Sequence, residues 1–235
     1  MGRDYARHLR RTSRVQAGFE PPEDGVIEAD SREIIMLRRA VLAFAFLAAL
    51  TGAVHAQQTS AAPSPPAPRV TLETTMGAVT IELDTVGAPL TSAHMLRLFK
   101  TRHYVGAAIF RVERDFLIQL GDLDRNLVYR HPTGPQTVPL ETTGMQHARG
   151  TVALARLDDP RSGRSSFYFD LGPNRHLNAD PNAPPNTTGY AVFGKVVEGM
   201  DVLDHINAVE LDPTKGPFPG MLPKTPIVVT AVKVQ

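Results

Sequence analysis

IFRVERDFLIQLGD, residues 109–122, carries the clearest structural signal in this chain. Two apolar runs, 109–112 and 116–120, flank a charged turn at 113–115. Because β-branched and aromatic residues are frequent in both runs, the pattern favours strands over a helix. The stretch therefore predicts a short antiparallel hairpin.

One face of this hairpin carries three side chains that are suited to binding a peptide. A register centred on Asp115 places Arg111 directly opposite Gln119, with Phe116 beside them, and opposed Cβ atoms lie roughly 4.5 to 5.5 Å apart. The guanidinium and the carboxamide could then hydrogen-bond and present donors outward together, while the ring offers an apolar wall. Most exposed arginines on strands only aid solubility, so the spacing alone leaves that simpler interpretation open.

The hairpin resembles the cyclophilin signature, commonly written FHRVIPxFMIQGGD. The matching positions are Arg111, Val112, Phe116, Ile118, Gln119, Gly121 and Asp122. Three later segments are similar to the next three cyclophilin blocks, in the same order: RGTVALAR (149–156), SSFYFDLGPN (165–174) and GYAVFGKVVEGMDVLDHI (189–206). The resemblance covers residues 70–235, and four ordered blocks are far more specific than one short pattern.

The composition excludes several other classes of protein. The 235 residues are 42% hydrophobic, with 25 Lys plus Arg against 24 Asp plus Glu, which indicates a globular chain without the basic bias that attracts nucleic acid. There is no cysteine, so disulfides, thiolate metal sites and a cysteine nucleophile are excluded. The 8 histidines are scattered without metal-binding spacing, so we expect no metal and no other cofactor.

The segment MLRRAVLAFAFLAALTGAVHA, residues 36–56, has the features of a secretory signal peptide. Two arginines precede an apolar run of 11 residues, 40–50, and Val54-His55-Ala56 suits cleavage after Ala56. The run is shorter than the roughly 20 residues of a membrane-spanning helix, so a membrane tether through an uncleaved signal is the weaker alternative. We expect a periplasmic or secreted protein after signal cleavage near Ala56.

The remaining boundaries follow from composition. Residues 1–35 are polar and have no apolar period, so we interpret them as a disordered extension, one that is not translated if synthesis begins at Met36. QQTSAAPSPPAPR, residues 57–69, is a Pro-rich linker. Residues 70–235 are long enough for one domain with one core, which the resemblance identifies as a cyclophilin-like isomerase domain.

Hydrophobic periodicity predicts many short strands and two helices in this domain. Besides the central hairpin, strands are expected at 70–74, 78–83, 151–155, 166–171, 191–197 and 227–234. One helix is expected from Pro89 to Tyr104, with Thr91 or Ser92 as its cap, and a shorter one at 201–206.

The segment from Leu123 to Gly150 is polar and without a period, so it predicts a long surface loop. Pattern alone supports a mainly β fold with two helices. The closed eight-stranded antiparallel barrel with two capping helices is what the cyclophilin resemblance implies, and closure would leave no open sheet edge.

The resemblance also implies a reaction, peptidyl-prolyl cis-trans isomerisation. Rotation about a peptide bond meets a barrier of about 18 to 20 kcal/mol. The two X-Pro isomers differ by only about 0.5 to 1 kcal/mol, yet they exchange slowly. Because no bond is made or broken, a catalyst needs no nucleophile, metal or cofactor, and it must bind the twisted amide better than either planar form.

In the family pattern, Arg111, Phe116 and Gln119 are the catalytic residues. Arg111 would donate to the proline nitrogen as that atom regains its lone pair, and Gln119 would orient Arg111 and hold the substrate backbone. The resemblance implies further substrate-binding residues: Leu154, Ala155, Arg156, Tyr168, His176, Leu177 and Tyr190. The simpler interpretations are barrel core for Leu154 and a loop anchor for Leu177. We expect Arg111 to be largely exposed in the groove.

Some positions depart from the family pattern. Ser166 stands where Gln is usual, which removes an amide that binds the substrate backbone. Tyr168 stands where Phe is common, His176 where many eukaryotic members carry Trp, and Tyr190 where many carry His. The last substitution is familiar in bacterial periplasmic members. These departures leave activity expected and its level open.

The sequence therefore predicts a monomeric peptidyl-prolyl cis-trans isomerase that acts on proline-containing unfolded or flexible polypeptides during the folding of exported proteins. The alternative is a cyclophilin-like module that binds proline segments as a chaperone with little turnover. An isomerisation assay on a proline tetrapeptide separates the two. A hydrolase is poorly supported, because no serine lies in a GxSxG elbow.

Overall fold

A computed structural model describes residues 66–184 and 187–235 of the chain. The predicted extension at 1–35, the signal peptide at 36–56 and most of the linker at 57–69 lie outside the described residues. Those three assignments stay predictions.

The described residues form ten strands and two α-helices. The strands are β1 (Arg69–Thr74), β2 (Gly77–Leu83), β3 (Ala107–Glu113), β4 (Leu117–Asp124), β5 (Thr151–Leu154), β6 (Phe167–Asp170), β7 (Val192–Glu198), β8 (Leu211–Asp212), β9 (Leu222–Pro223) and β10 (Val229–Val234). The helices are α1 (Pro89–Lys100) and α2 (Met200–Asn207), and a 3-10 turn covers Arg175–Leu177.

Eight of the strands form one antiparallel sheet in the order β10-β1-β2-β7-β5-β6-β4-β3. Its two edge strands, β3 and β10, meet. Ala108, the second residue of β3, bridges Val228, and the Gly106 amide donates to the Val229 carbonyl at 2.7 Å. The sheet is therefore a nearly closed barrel, and the predicted mainly β fold with eight barrel strands and two helices is confirmed. The short ribbon of β8 and β9 was not predicted.

The barrel core is built around an aromatic cluster. Phe167 on β6 is fully buried and lies 5.2 to 6.0 Å, centroid to centroid, from four other rings. These belong to Phe99, Tyr104, Phe169 and Phe193. Most of the contacts are edge-to-face, the arrangement that aromatic quadrupoles favour. Both helices contribute side chains to the same core.

The long segment from Leu123 to Gly150 is a loop over most of its length, as predicted, although β4 extends into it as far as Asp124. It is more than a surface loop. Val138 is buried and pairs with Gly163, and the His147 side chain is buried as well. The loop therefore contributes side chains both to the core and to the neighbourhood of the site.

The predicted cap of α1 is wrong. The N-cap residue is Ala88, which forms no capping bond through its side chain. The carboxylate of Glu141 instead accepts hydrogen bonds from the Leu90 amide at 2.9 Å and from the Thr91 amide at 2.7 Å. Ser92 donates its hydroxyl to the Asp84 carbonyl at 2.7 Å. Free amides at a helix start donate to any suitably placed acceptor, and here the acceptor, Glu141, comes from the long loop.

Replacing Glu141 with alanine is expected to lower the free energy of unfolding by about 1 to 2 kcal/mol, the usual effect of losing an N-terminal cap. Urea unfolding followed by circular dichroism measures it. Glu210→Ala is the control, because Glu210 is an exposed glutamate in a surface ion pair with Lys224, and such pairs contribute little. Equal losses in the two variants would contradict the capping role.

Neither α1 nor α2 has the length and apolar character of a membrane-spanning helix, and no other helix in the described part of the chain has them.

Candidate active site

Four residues in register across four neighbouring strands form one row on the outer face of the barrel. Ala153 on β5 pairs with Tyr168 on β6, which pairs with Gln119 on β4, which pairs with Arg111 on β3. The next row along the strands has the opposite orientation and belongs to the core, because successive side chains on a strand alternate between faces. The predicted pairing of Arg111 with Gln119 is confirmed.

The Arg111 guanidinium is held on three sides. Its Nη1 donates to Gln119 Oε1 at 3.3 Å, and its Nη2 forms an ion pair with Glu113. Its Cζ lies 4.8 Å from the ring centroid of Phe218, which comes from the loop between β8 and β9. The Arg111 side chain is only 21% exposed, so the expectation of a largely exposed side chain is wrong.

Gln119 links the arginine to the next strand. Its Nε2 donates to the Ser166 hydroxyl at 3.0 Å, while its Oε1 accepts from Arg111. The Ser166 hydroxyl is itself buried and donates to the Leu120 carbonyl at 3.3 Å. Ser166 therefore fixes which way the Gln119 amide faces, even though it lacks the amide that is usual at its position.

A second apolar cluster, separate from the core, lies beside this row. Its buried members are Leu117, Ala153, Tyr168 and Val192, and its partly buried members are Phe116, Met145, Ala155, Leu177 and Tyr190. We call this set the pocket cluster. It brings together five of the predicted site residues, namely Phe116, Ala155, Tyr168, Leu177 and Tyr190. His176 adjoins it, because its ring stacks on Phe116 at 5.5 Å.

Two predicted site residues are placed differently. Leu154 packs in the main core opposite Phe167, since it alternates with Ala153 and Ala155 along β5 and its extension. Arg156 is bound by the chain itself, with Nε donating to the Gly189 carbonyl at 2.7 Å and Cζ lying 5.3 Å from the Tyr190 ring centroid. Arg156 thus supports the segment that carries Tyr190.

Sequence reasoning missed several side chains around the site. Leu117 could have been found, because it is two residues from Gln119 on the same strand and therefore faces the same side. Glu113 could have been noted as an acid two residues from Arg111. Phe218 and His147 come from distant loops, and nothing in their local sequence indicates the contacts that they make.

His147 anchors the aromatic floor of the pocket cluster. Its Nε2 lies 2.9 Å from the Tyr168 hydroxyl, and its Nδ1 lies 3.2 Å from Asn178 Oδ1. An amide oxygen only accepts, so Nδ1 carries the proton and Nε2 accepts from the tyrosine. Burial lowers the pKa of His147 to about 4, and burial raises the pKa of Tyr168 well above its ordinary value. Both side chains are therefore neutral at neutral pH.

The stability advantage of the wild type over His147→Gln is expected to shrink as the pH falls from 6.5 towards 4. Because the pKa of His147 is about 4 in the folded chain and 6.5 ordinarily, the unfolded chain binds more protons between these values. The contribution of His147 to the free energy of unfolding is thus complete above pH 6.5 and is lost as the pH falls through 4. Urea unfolding of both proteins at several pH values measures the difference.

Comparing two proteins in this way cancels the other groups that titrate in the same window. Burial also lowers the pKa of His103 to about 4, whereas burial raises the pKa of Asp170 to about 6. The contribution of Asp170 to the free energy of unfolding changes with pH in the opposite direction. It is complete below pH 3.8 and is lost as the pH rises through 6. A difference between wild type and variant that does not change with pH would show that His147 is not buried in its neutral form.

Comparisons with known proteins agree on one family. Residues 69–234 match the family described as cyclophilin type peptidyl-prolyl cis-trans isomerase/CLD. A peptidyl-prolyl cis-trans isomerase of Streptomyces antibioticus is 33% identical over 165 residues, covering 70% of this chain and 97% of that protein. One of Acinetobacter baylyi is 34% identical over 167 residues, covering 71% of this chain and 85% of that protein.

The fold has solved counterparts as well. The crystal structure of a cyclophilin type peptidyl-prolyl cis-trans isomerase of Cryptosporidium parvum, in the presence of the dipeptide Ala-Pro, matches with a TM-score of 0.59. It is 20% identical and covers 71% of this chain and 98% of that chain. At this identity the likeness shows the fold alone.

Proposed function

The chain belongs to the cyclophilin-type peptidyl-prolyl cis-trans isomerase family, and we propose that it accelerates X-Pro isomerisation during the folding of exported proteins. The enzyme class follows from the family and from the relatives that carry this name. The role in export rests on the signal-like sequence at 36–56.

The observation that supports this site most strongly is the placement of Arg111 at the end of a row that also carries Gln119 and Tyr168. A cation that is held in place and keeps free N–H donors thus borders an apolar cluster that can form the wall for a proline ring. These are the two requirements of the reaction, since the ring must be held while the amide nitrogen acquires a lone pair.

In this proposal Arg111 donates to the proline nitrogen of the twisted amide. Guanidinium is charged at every relevant pH, and its donors lie in one rigid plane. Each terminal nitrogen carries two N–H groups, so Nη1 and Nη2 keep donors after binding Gln119 and Glu113. Because the guanidinium is already held, little reorganisation is needed when the amide twists.

The pocket cluster binds the pyrrolidine ring in this proposal. Phe116, Leu117 and Tyr168 are its walls, and the stacking of His176 on Phe116 keeps that ring in place. Ala155 and Tyr190 border the substrate chain at the other end, where Arg156 holds the Tyr190 segment. Substrates are accordingly proline-containing segments that are unfolded or flexible enough to enter a surface groove.

Exchange NMR on a tetrapeptide that contains Ala-Pro tests the proposed activity at this site. The wild type is expected to broaden the exchanging cis and trans resonances at substoichiometric concentration. Binding without faster exchange would instead support the alternative of a proline-binding chaperone with little turnover.

We also propose that the protein acts outside the cytoplasm after cleavage near Ala56. Fractionation of the natural host and N-terminal sequencing of the mature protein test this. We expect a mature chain that starts at Gln57 in the periplasmic or secreted fraction. An intact segment 36–56 in the cytoplasmic fraction would contradict it, and the same segment in the membrane fraction would indicate a tether.

A further inference from the structure

We propose that Glu113 makes the isomerase site selective for prolines that are flanked by a positively charged side chain. This inference rests on the proposed isomerase site and names the class of peptide that the site prefers. It concerns a residue that stands where the signature quoted above has isoleucine.

The strand register places Glu113 at the rim of the pocket cluster. Glu113 is the last residue of β3 and pairs with Leu117, a buried member of the cluster. Opposed residues have Cβ atoms roughly 4.5 to 5.5 Å apart, so the Glu113 side chain starts beside Leu117, at the edge of the pocket cluster. Glu113 and Arg111 are two residues apart on one strand, so both face the side on which substrate would lie.

The carboxylate has one oxygen in use and one available. Oε2 binds Nη2 of Arg111, whereas Oε1 has no hydrogen-bond partner among the described residues. The side chain is 34% exposed, so it is accessible to a ligand without leaving the arginine.

Three other charged side chains near this end of the hairpin are bound by other parts of the chain. Asp115 accepts a hydrogen bond from the Asn207 side chain at 2.8 Å. Arg114 donates to the Val209 carbonyl at 2.6 Å. Asp170 is fully buried and accepts from Thr151 and Asn174. Glu113 is therefore the acid whose charge a bound peptide would meet.

Glu113 and Arg111 together also change the charge that a flanking residue experiences. An unpaired Arg111 would attract acidic neighbours of proline and repel basic ones. With Glu113 beside it, the two charges offset each other at a distance, and a lysine or arginine that lies closer to the partly exposed Glu113 carboxylate than to Arg111 is favoured. For an attraction to the Glu113 charge alone in a solvated groove, Coulomb's law gives a preference of up to about 3- to 10-fold, which the neighbouring Arg111 charge reduces and salt weakens further.

The test uses a series of peptides in which one residue, one or two positions before or after the proline, is Lys, Gln or Glu. Exchange NMR gives kcat/KM for each peptide with wild type and with Glu113→Gln. We expect the wild type to favour Lys over Glu by up to about 3- to 10-fold at one or more positions, less so at high salt. In Glu113→Gln this ratio should fall to one or invert.

Glu82→Gln is the matched control. Glu82 on β2 also pairs with an arginine, Arg69 on β1, and the strand order places β2 across the barrel from β4. This variant loses the same charge and should keep the wild-type Lys-to-Glu ratio. Circular dichroism verifies that both variants are folded.

Two results would overturn the inference. The first is a wild-type ratio near one at every position. The second is a Glu113→Gln variant that slows all peptides by the same factor, which would make Glu113 only a support for Arg111. The neutral Gln peptide reports isomerase activity by itself, so loss of the selectivity and failure of the proposed function are distinguishable.

Discussion

Replacing Arg111 with alanine is expected to lower kcat for X-Pro isomerisation by about 10²- to 10³-fold, by analogy with the loss of one preorganised oxyanion donor. The contact with the proline nitrogen forms fully only as the amide twists. Turnover should therefore fall more than ground-state binding of the peptide. Exchange NMR on a proline peptide at equilibrium measures the rate.

The fold should survive this change. The partner left behind, Glu113, is 34% exposed and can be solvated, but the contacts of Arg111 with Gln119 and Phe218 are lost as well, so the free energy of unfolding should fall by about 1 to 2 kcal/mol. Arg69→Ala is the control, since it breaks another arginine–glutamate pair, with Glu82, that lies on β1 and β2, outside the Arg111 row and the pocket cluster, and should leave kcat unchanged.

Arg111→Lys adds a sharper test of geometry. Lysine keeps the charge, but a single ammonium lacks the planar fork that binds Gln119 and Glu113 at the same time. We expect a loss in kcat between those of wild type and alanine. A folded Arg111→Ala protein with undiminished exchange would remove Arg111 from the mechanism.

Replacing Phe167 with alanine is expected to lower the free energy of unfolding by about 3 to 5 kcal/mol, because it opens a cavity among four other rings in a closed barrel. For a domain of this size each kcal/mol lowers Tm by about 2 to 4 °C, so the expected decrease is about 6 to 20 °C. Calorimetry or thermal circular dichroism measures it.

Phe116→Ala separates stability from binding. Phe116 is partly buried, belongs to the pocket cluster and stacks on His176. Its loss should weaken binding of the proline ring and lower Tm by less than the Phe167 variant does. If Phe116→Ala lowered Tm as much as Phe167→Ala, the pocket cluster would be part of the core and not a separate binding surface.

The central hairpin could be predicted because its determinants are local. Apolar runs, a charged turn and alternation within residues 109–122 set the strand register, and the register sets Arg111 opposite Gln119. The same alternation shows that Leu154 and Ala155 cannot both line the groove. Expecting both in the site came from matching family positions without applying the strand period.

The contacts that complete the site depend on residues far apart in the chain. Phe218 reaches Arg111 only because the β8–β9 loop packs beside β3, and His147 reaches Tyr168 from the end of the long loop. Glu141 caps α1 from 50 positions away. No spacing rule predicts such partners, because any acceptor or ring that the folded chain brings close would serve.

The amino-acid sequence alone is enough to predict the β-rich class, the hairpin and which residues share its outer face, since these follow from periods of two and from turn chemistry. Three features become visible only in the folded barrel: how the Arg111 guanidinium is held, that it is largely buried, and that Glu113 adjoins the pocket cluster. The reason is physical: side-chain alternation is a property of each strand, whereas burial and ion pairing arise when the barrel closes and brings separate loops against it.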